Sequence, residues 1–237
     1  MPVLLAALLL AGCNNDNKVI MKGAFTVPAE GMVYLDQSEV DRSTRVDSTE
    51  IKRGRFKFVT EVTGPEFYQL RFPGNEFVAL LVMPGENISL ELGKTPVAMN
   101  YTVQGSPGSA DIRLLDQQLL VTKTRLDSVR NIYNALSIDD LAVRGPELQK
   151  TYTEAVEAQR KFNIKFVVEH ISSMSSIQAL YQRLDENTYV LYQPRDLQYL
   201  KIVSDSLSVR YPVSRHLRAL KENVTSELNQ LYIDRLS

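Results

Sequence analysis

Cysteine is almost absent from this sequence, since the chain of 237 residues contains only Cys13. A single thiol forms no internal disulfide and has no second cysteine with which to exchange one. Thiol–disulfide chemistry is therefore excluded for these residues acting alone. If Cys13 is covalently modified, the rest of the chain has no free thiol.

Histidine is nearly as rare, because His170 and His216 are the only two. Two histidines exclude a His-rich metal site and leave only two candidate bases for a Ser/His/Asp triad, neither of them in a recognisable motif. We expect His170 at a helix end, where an imidazole suits the negative end of the helix dipole, and His216 on the solvent side of its helix. Both are interpreted as structural residues.

An excess of charge of either sign is also lacking. Lys and Arg total 27 and Asp and Glu total 28, which gives a formal net charge of −1. No segment concentrates the basic residues that select a phosphate backbone. Nucleic acid is therefore not an expected partner.

Several motifs that carry chemistry are missing. Residues 105–108 have glycines but lack the Lys-Ser/Thr that completes a phosphate-binding loop, and no Gly-x-Ser-x-Gly elbow occurs. Asp36, Asp41 and Asp47 lack calcium-loop spacing, so turn chemistry is favoured over a calcium site. We predict no catalytic, cofactor-binding or metal-binding residues.

Tyrosine, in contrast, is plentiful, with eleven in the chain. Four of them surround Pro194 in sequence: Tyr181, Tyr189, Tyr192 and Tyr199. Aromatic faces are common in carbohydrate and peptide sites, but tyrosines that pack between helices are the favoured interpretation.

An apolar run occupies residues 3–10, followed by Ala11, Gly12 and Cys13 and then by a polar segment. The run is about half of the roughly 20 residues that a membrane-spanning helix needs. It is typical of a secretory signal, and the string Leu10-Ala11-Gly12-Cys13 resembles the lipobox of bacterial lipoproteins. The resemblance implies cleavage between Gly12 and Cys13 and a thioether-linked lipid on Cys13, which would attach the chain to a cell-envelope membrane.

One usual feature of a secretory signal, a positive charge before the apolar run, is missing. No Lys or Arg precedes the apolar run, which we interpret as a start site assigned too far downstream or as a trimmed sequence. The alternative is a buried N-terminal strand with an inert core cysteine.

Asn14 stands where aspartate would signal inner-membrane retention in some bacteria, so the outer membrane is favoured over the inner.

From Lys18 to Gln104 the residue pattern predicts β-strands. Apolar residues alternate with polar ones, as in Ile88, Leu90 and Leu92, and Arg53-Gly54 predicts a hairpin turn between two such runs. Short strands without intervening helices favour an antiparallel sandwich or barrel. The predicted strands are residues 19–27, 32–36, 45–51, 55–62, 66–72, 77–83, 87–92 and 99–104.

Beyond residues 105–109 the apolar period lengthens to that of helices. Ser109 is the predicted N-cap of a first helix, whose apolar stripe from Ile112 to Tyr133 more often packs within its own chain than against a partner. Residues 139–146 are a predicted connection to a helix over residues 147–170, followed by a shorter piece over residues 177–184. Pro194 suits a first helical turn, and Ser214 caps a last helix. Four or five helices are expected.

These patterns together predict an α+β fold, with an N-terminal antiparallel β-sandwich or barrel-like domain followed by an α-helical bundle. The predicted organisation is a lipoprotein signal peptide over residues 1–12, a polar tether over residues 13–17, an antiparallel β domain over residues 18–106 and a helical domain over residues 107–237.

The strand segment resembles a specific family. The quoted matches, in order, are residues 31–35, Asp47-Ser48 with residues 54–58, residues 67–70, residues 84–88 and residues 101–106. They resemble an uncharacterised β domain at the N-terminus of bacterial envelope lipoproteins, which is usually followed by helices and a TlpA/AhpC-type thioredoxin-like domain. The likeness covers about residues 18–109. Since this chain has no Cys-x-x-Cys pair, no catalytic residue can be carried over.

The sequence therefore predicts a non-enzymatic cell-envelope lipoprotein that acts as a binding or scaffolding module, held to the membrane by its N-terminal lipid. An envelope protein is a candidate partner, and the ligand is unidentified. The alternative is the N-terminal non-catalytic region of a membrane-tethered thiol–disulfide oxidoreductase, whose thioredoxin domain would lie beyond Ser237. A third hypothesis is a hydrolase that uses scattered carboxylates, which no sequence motif supports.

Overall fold

The protein folds as eight β-strands followed by five α-helices, in a computed structural model that describes residues 17–234. Within the final helix, side chains are described as far as residue 230. The α+β class predicted from the sequence is confirmed. The predicted cleavage and lipid-attachment residues, Gly12 and Cys13, lie outside the described residues.

Two four-stranded sheets form the first part of the chain. Sheet I has the order β4-β1-β7-β8 and sheet II the order β3-β2-β5-β6. Most neighbouring strands are antiparallel, but β1 and β7 are parallel, which corrects the wholly antiparallel prediction. The strands are β1 Lys18–Phe25, β2 Met32–Ser38, β3 Ser43–Glu50, β4 Arg55–Glu61, β5 Glu66–Phe72, β6 Glu76–Val82, β7 Asn87–Leu92 and β8 Tyr101–Gln104.

The two sheets pack face to face as a sandwich, and in the part of the chain that the structure describes they do not close into a barrel. Period-two alternation places alternate side chains of the strands other than β3 between the sheets, whereas β3 is an edge strand with no buried residue. In β1 these are Val19 and Met21, and in β7 they are Ile88 and Leu90, all of which belong to one buried cluster. The sandwich alternative in the sequence prediction is therefore correct and the barrel alternative is wrong.

The turn at Arg53-Gly54 is present, but the strands beside it do not form a hairpin. Arg53 and Gly54 have φ angles of 53° and 70°, the two left-handed positions of a tight reverse turn. Lys52 and Arg55 pair across it, after which β3 joins sheet II and β4 joins sheet I. The turn therefore carries the chain from one sheet to the other, because β3 pairs with β2 in sheet II and β4 pairs with β1 in sheet I.

The helices are α1 Pro107–Ala135, α2 Ile138–Glu169, α3 Ser175–Tyr181, α4 Leu197–Arg210 and α5 Arg215–Asp234. A 3-10 turn at Pro194–Asp196 leads into α4, as Pro194 predicted. Ser214 lies just before α5, where its hydroxyl accepts a 3.5 Å hydrogen bond from the Leu217 amide. The long antiparallel pair α1 and α2 extends past the core, since the last buried residue of α1 is Val129 and the first of α2 is Ala155.

The beginnings of α1 and α2 differ from the prediction. Ser106, not Ser109, caps α1 by accepting a 3.2 Å hydrogen bond from the Ser109 amide, with Pro107 at the first helical position. Residues 139–146, predicted as a connection, belong to α2, and Pro146 lies inside the helix. The preceding residue is Gly145, which has no Cβ to meet the proline ring, so the usual restriction before proline is relaxed.

Helices cover the part of the outer face of sheet II that β5 and β6 form, although Phe77 of β6 stays 48% exposed. Phe67 and Leu81 point away from the sandwich and join the buried cluster of the helical part. Gly108 allows α1 to approach closely, because a Cβ at that position would lie 2.9 Å from the Leu81 side chain. Sheet II therefore packs against sheet I on one face and against the helices on the other.

Candidate functional site

A cleft of about 930 Å³ lies where the helices diverge from sheet II. Its floor is the outer face of β5 and β6, including Gln69, Phe77 and Ala79. One wall is α1 and the opposite wall is α5. Residues of the segment from α3 to Tyr189 and of the connection between β7 and β8 also line the cleft.

Asp116 is the carboxylate that α1 places in this cleft. Its Oδ1 accepts hydrogen bonds from Gln178 Nε2 at 3.2 Å and from Gln182 Nε2 at 3.4 Å. Its Oδ2 has no hydrogen-bond partner among the described residues, and none of their cationic groups lies within ion-pair distance. The carboxylate is thus held by two neutral amides, with one oxygen left for the cleft.

A chain of buried hydrogen bonds fixes the orientation of the Gln182 amide. Thr122 Oγ1 donates to Gln159 Oε1 at 2.6 Å, and Gln159 Nε2 donates to Asn163 Oδ1 at 2.8 Å. Asn163 Nδ2 donates in turn to Gln182 Oε1 at 2.9 Å. Because the Gln182 oxygen accepts within this chain, its amino group must face Asp116. The carboxylate is therefore positioned by three helices.

Burial raises the pKa of the Asp116 carboxyl from its ordinary 3.8 to about 6, against smaller opposing effects of the Gln178 and Gln182 hydrogen bonds and the charge of Lys123. Part of the side-chain surface still contacts solvent through the cleft, although protein atoms surround the group on the other sides. At neutral pH the cleft therefore contains a mostly ionised carboxylate with little hydration.

Tyr101 lines the cleft near this carboxylate. Its ring is buried at the start of β8, with the Arg113 guanidinium 5.5 Å from the ring centroid. Burial and the negative charge of Asp116 raise the pKa of the Tyr101 hydroxyl above its ordinary value. The phenol therefore remains protonated and can donate a hydrogen bond at physiological pH.

Two of the four tyrosines near Pro194 line the cleft, and two do not. Tyr181 and Tyr189 contact each other edge to face, with ring centroids 6.3 Å apart. Asn223 of α5 donates a 2.9 Å hydrogen bond to the Tyr181 hydroxyl, and the Arg183 guanidinium lies 4.3 Å from the Tyr189 centroid. Tyr199 packs against the helical core, and Tyr192 is 56% exposed.

His216 is not on the solvent side of its helix, so that prediction is wrong. Its ring packs against Phe67, with centroids 4.8 Å apart, and burial lowers the pKa of the imidazole. The cause is the docking of α5 on sheet II, where Arg215 pairs with Glu39 at 3.5 Å and Glu66 at 3.4 Å. The apolar spacing of α5 did not reveal this second buried side.

His170 caps the C-terminus of α2, as predicted. Its Nδ1 lies 3.0 Å from the Phe166 carbonyl oxygen, and its ring stacks on Phe166 at 4.0 Å between centroids. The Asp111 carboxylate of α1 lies 3.7 Å from its Nε2. These contacts give the imidazole a structural position away from the cleft.

The turn interpretation of the three early aspartates is correct only for Asp41, which lies in the bend between β2 and β3. Asp47 lies in β3. Asp36 is buried in β2 and forms ion pairs with Arg45, at 3.0 Å, and with Arg71. Among the described residues, no group of three His, Cys, Asp or Glu side chains is arranged to hold a metal ion.

Asp116 was missed by the sequence analysis, although the sequence contains a signal for it. Ile112, Asp116, Leu119 and Lys123 follow one another at helical spacing, so a carboxylate and a lysine lie on the apolar face of α1. A charged residue on a face that packs inward must find a partner or a cavity. Here the carboxylate lies at a cavity.

Residues 19–112 match the model of a protein family described as a domain of unknown function (DUF4369). The match covers β1 to β8 and ends in the second turn of α1, which confirms the predicted resemblance to an uncharacterised N-terminal domain. No curated protein matches the chain. Within residues 17–234, none of the helices combines the length and the apolar character that crossing a membrane requires.

Replacement of Asp116 by asparagine is expected to stabilise the fold at neutral pH. Asn can still accept from both glutamines, and it carries no charge to desolvate. An acid whose pKa is raised on folding loses stability as pH rises from its unfolded to its folded pKa, here from 3.8 to about 6. Water in the cleft partly hydrates the carboxylate, so the stability cost of its charge is smaller than the full pKa shift would give. Asp116→Asn should therefore add about 1–2 kcal/mol to the free energy of unfolding at pH 7.5.

Urea denaturation at a series of pH values measures this gain, which should shrink as pH is lowered from 7.5 towards 4. Asp127→Asn is the matched control, because Asp127 is an exposed α1 aspartate paired with Arg130 at 2.9 Å. It should change stability by less than about 0.5 kcal/mol. A destabilised Asp116→Asn protein at pH 7.5 would contradict the assignment of a desolvated carboxylate.

Proposed function

We propose that this chain is a non-enzymatic binding module of the bacterial cell envelope, anchored through Cys13, and that the cleft is its ligand-binding site. The observation that carries the proposal is the cleft itself. Its volume of about 930 Å³ is in the range of small-molecule sites, which are about 300–1,000 Å³. Apolar and aromatic walls with a few placed polar groups are also characteristic of such sites.

The side chains in the cleft support binding rather than catalysis. A nucleophile activated by a base requires a hydrogen bond between the two groups. His216 packs on Phe67, and its Nε2 is buried without a hydrogen-bond partner among the described residues. The partners of Asp116 are amides, which neither donate nor accept a proton in acid–base catalysis. The described groups can therefore orient a ligand and supply hydrogen bonds.

The envelope location is supported by the sequence at the N-terminus. The apolar run, the small residues Ala11 and Gly12, and the cysteine at position 13 have the order of a lipoprotein signal. The outer membrane is the favoured location because Asn14, not aspartate, follows the cysteine. A lipid on Cys13 would hold the cleft close to a membrane surface.

Filling the cleft is expected to abolish binding of an apolar probe. The uncharged dye Nile red should fluoresce more strongly in the presence of the protein, because the cleft shields it from water. Ala219 lines the cleft on α5, so the indole of Ala219→Trp should occupy the same space and remove at least about nine-tenths of the fluorescence gain, a tenfold loss.

The control is Ala158→Trp, which makes the same substitution at an exposed position of α2 and should leave the gain unchanged. Since the chain has no tryptophan, each new indole reports its own surroundings. Emission at shorter wavelength in Ala219→Trp than in Ala158→Trp would show that the cleft variant is folded with its indole inside. Full dye binding by that folded variant would refute the cleft as the binding site.

The anchor predicts the mass of the native protein extracted by detergent from envelope membranes. It should equal residues 13–237 plus acyl chains, and Cys13→Ala should lose the acyl mass and leave the membrane fraction. Asn15→Ala is the control and should remain lipidated. A mass that retains residues 1–12 without lipid would overturn the anchor. A mass larger by a domain of about 100–150 residues would favour the oxidoreductase alternative.

A further inference from the structure

Asp116 is a carboxylate that the described protein surrounds but does not neutralise. Its two hydrogen-bond partners, Gln178 and Gln182, are uncharged, and both donate to Oδ1. Buried charges in proteins are normally paired with an opposite charge, because the loss of hydration is otherwise uncompensated. The charge of Lys123 acts on the carboxylate without forming an ion pair with it, so a cation in direct contact can be supplied by a ligand in the cleft.

We propose that the cleft binds an organic cation, a protonated amine on an apolar body, whose ammonium group pairs with Asp116 Oδ2. This inference rests on the proposed function above and names the chemical class of its ligand. The ammonium group would donate to Oδ2, while Gln178 and Gln182 hold Oδ1. The remaining part of the ligand would lie along the aromatic side of the cleft.

The other carboxylates of the cleft are already engaged by the protein. Glu39 pairs with Arg42 at 3.0 Å and with Arg215 at 3.5 Å, and Glu76 Oε2 accepts a 2.8 Å hydrogen bond from the Val97 amide. Glu39 is therefore neutralised by cations, whereas Glu76 and Asp116 each place one oxygen in hydrogen bonds with neutral groups. Of these two, Asp116 is the carboxylate that two side-chain amides hold in a fixed orientation.

The cations of the cleft do not occupy Asp116 Oδ2. Arg183 is held by Tyr189 and by the carbonyl oxygen of Glu186, at 3.0 Å. Lys123 lies two turns further along the same face of α1, where its charge lowers the pKa of the Asp116 carboxyl, but the two groups form no ion pair. The titratable and charged groups that face the cleft from its surrounding elements are Glu39, Tyr68, Glu76, Tyr101, Lys123, Tyr181, Arg183, Tyr189 and His216.

The cleft presents an exposed apolar surface against which the apolar body of the ligand can pack. Phe77 is 48% exposed on the floor of the cleft, and Leu119 and Leu120 line the α1 wall. Tyr181 and Tyr189 add aromatic edges on the far side. Aromatic rings attract cations as well as apolar groups, so this lining suits an amine with a hydrocarbon or aromatic body.

The test compares 2-phenylethylamine with 2-phenylethanol, a neutral molecule of similar shape. Each compound is titrated into 15N-labelled protein, and the changes in backbone amide chemical shifts give its affinity. At pH 7.5 the amine should bind at least tenfold more tightly than the alcohol. Its affinity should fall as pH is lowered through 6, because protonation of Asp116 removes the charge while the amine remains cationic.

Asp116→Asn should lower the affinity for the amine at least tenfold and leave the affinity for the alcohol unchanged. Asp127→Asn is the control and should leave both affinities unchanged, since Asp127 is paired with Arg130 on the exposed side of α1. The stability measurement on Asp116→Asn confirms independently that the variant folds.

A second arm identifies the source of the amine. The dipeptide amide Phe-Leu-NH2 with a free N-terminus is compared with its N-acetylated form. Tighter binding of the free dipeptide than of 2-phenylethylamine would indicate a peptide N-terminus, and weaker binding would indicate a small amine. Either result supports an organic cation if the acetylated form binds at least tenfold more weakly than the free dipeptide.

Equal affinities for amine and alcohol, or undiminished amine binding by Asp116→Asn, would overturn this inference. Absence of amine binding at millimolar concentrations would overturn it as well. The proposed function is tested separately by Nile red, so loss of both dye and amine binding would overturn the binding site itself. Dye binding without amine selectivity would overturn the ligand class alone.

Discussion

The presence of apolar side chains on both faces of β6 is the constraint on which the rest of the structure depends. Val78, Leu80 and Val82 pack against sheet I, while Ala79 and Leu81 face the helices. An apolar strand of this kind is not stable at a solvated surface, because both faces would have to be removed from water. The helices therefore cover β5 and β6 on the outer face of sheet II. Ser106 caps α1 and donates a 3.1 Å hydrogen bond to the Leu81 carbonyl, which fixes where α1 begins to cover the sheet.

The cleft arises where that covering is incomplete. α1 lies close to β6 near Gly108 and Leu81, and the space between helices and sheet is left open around Phe77 and Asp116. Maximum stability would favour filling this space and replacing the carboxylate, as the raised pKa of Asp116 indicates. Proteins retain such locally unfavourable arrangements at functional sites, where activity requires them. The hydrogen bonds that lead from Thr122 to Gln182 hold the carboxylate in place before any ligand arrives.

Sequence patterns predicted the fold class well and the site poorly, for physical reasons. Alternation fixed each strand to within a few residues, but the parallel pairing of β1 with β7 depends on contacts distant in sequence. The almost continuous apolar run of β6 indicates burial on both faces, and the helical part could have been placed on sheet II from it. Asp116 is visible as a charge on an apolar helix face. Its two amide donors come from α3 and the residue after it, and no local pattern specifies that they meet it.

The measurement that tests this account most directly is the titration of the Asp116 carboxyl carbon by NMR, assigned by comparison with Asp116→Asn. The account predicts a midpoint near pH 6 in the free protein. Addition of 2-phenylethylamine should lower that midpoint, because the ammonium group favours the ionised carboxylate. A midpoint near the ordinary 3.8, unchanged by the amine, would show a hydrated carboxylate without a ligand role and would contradict the account.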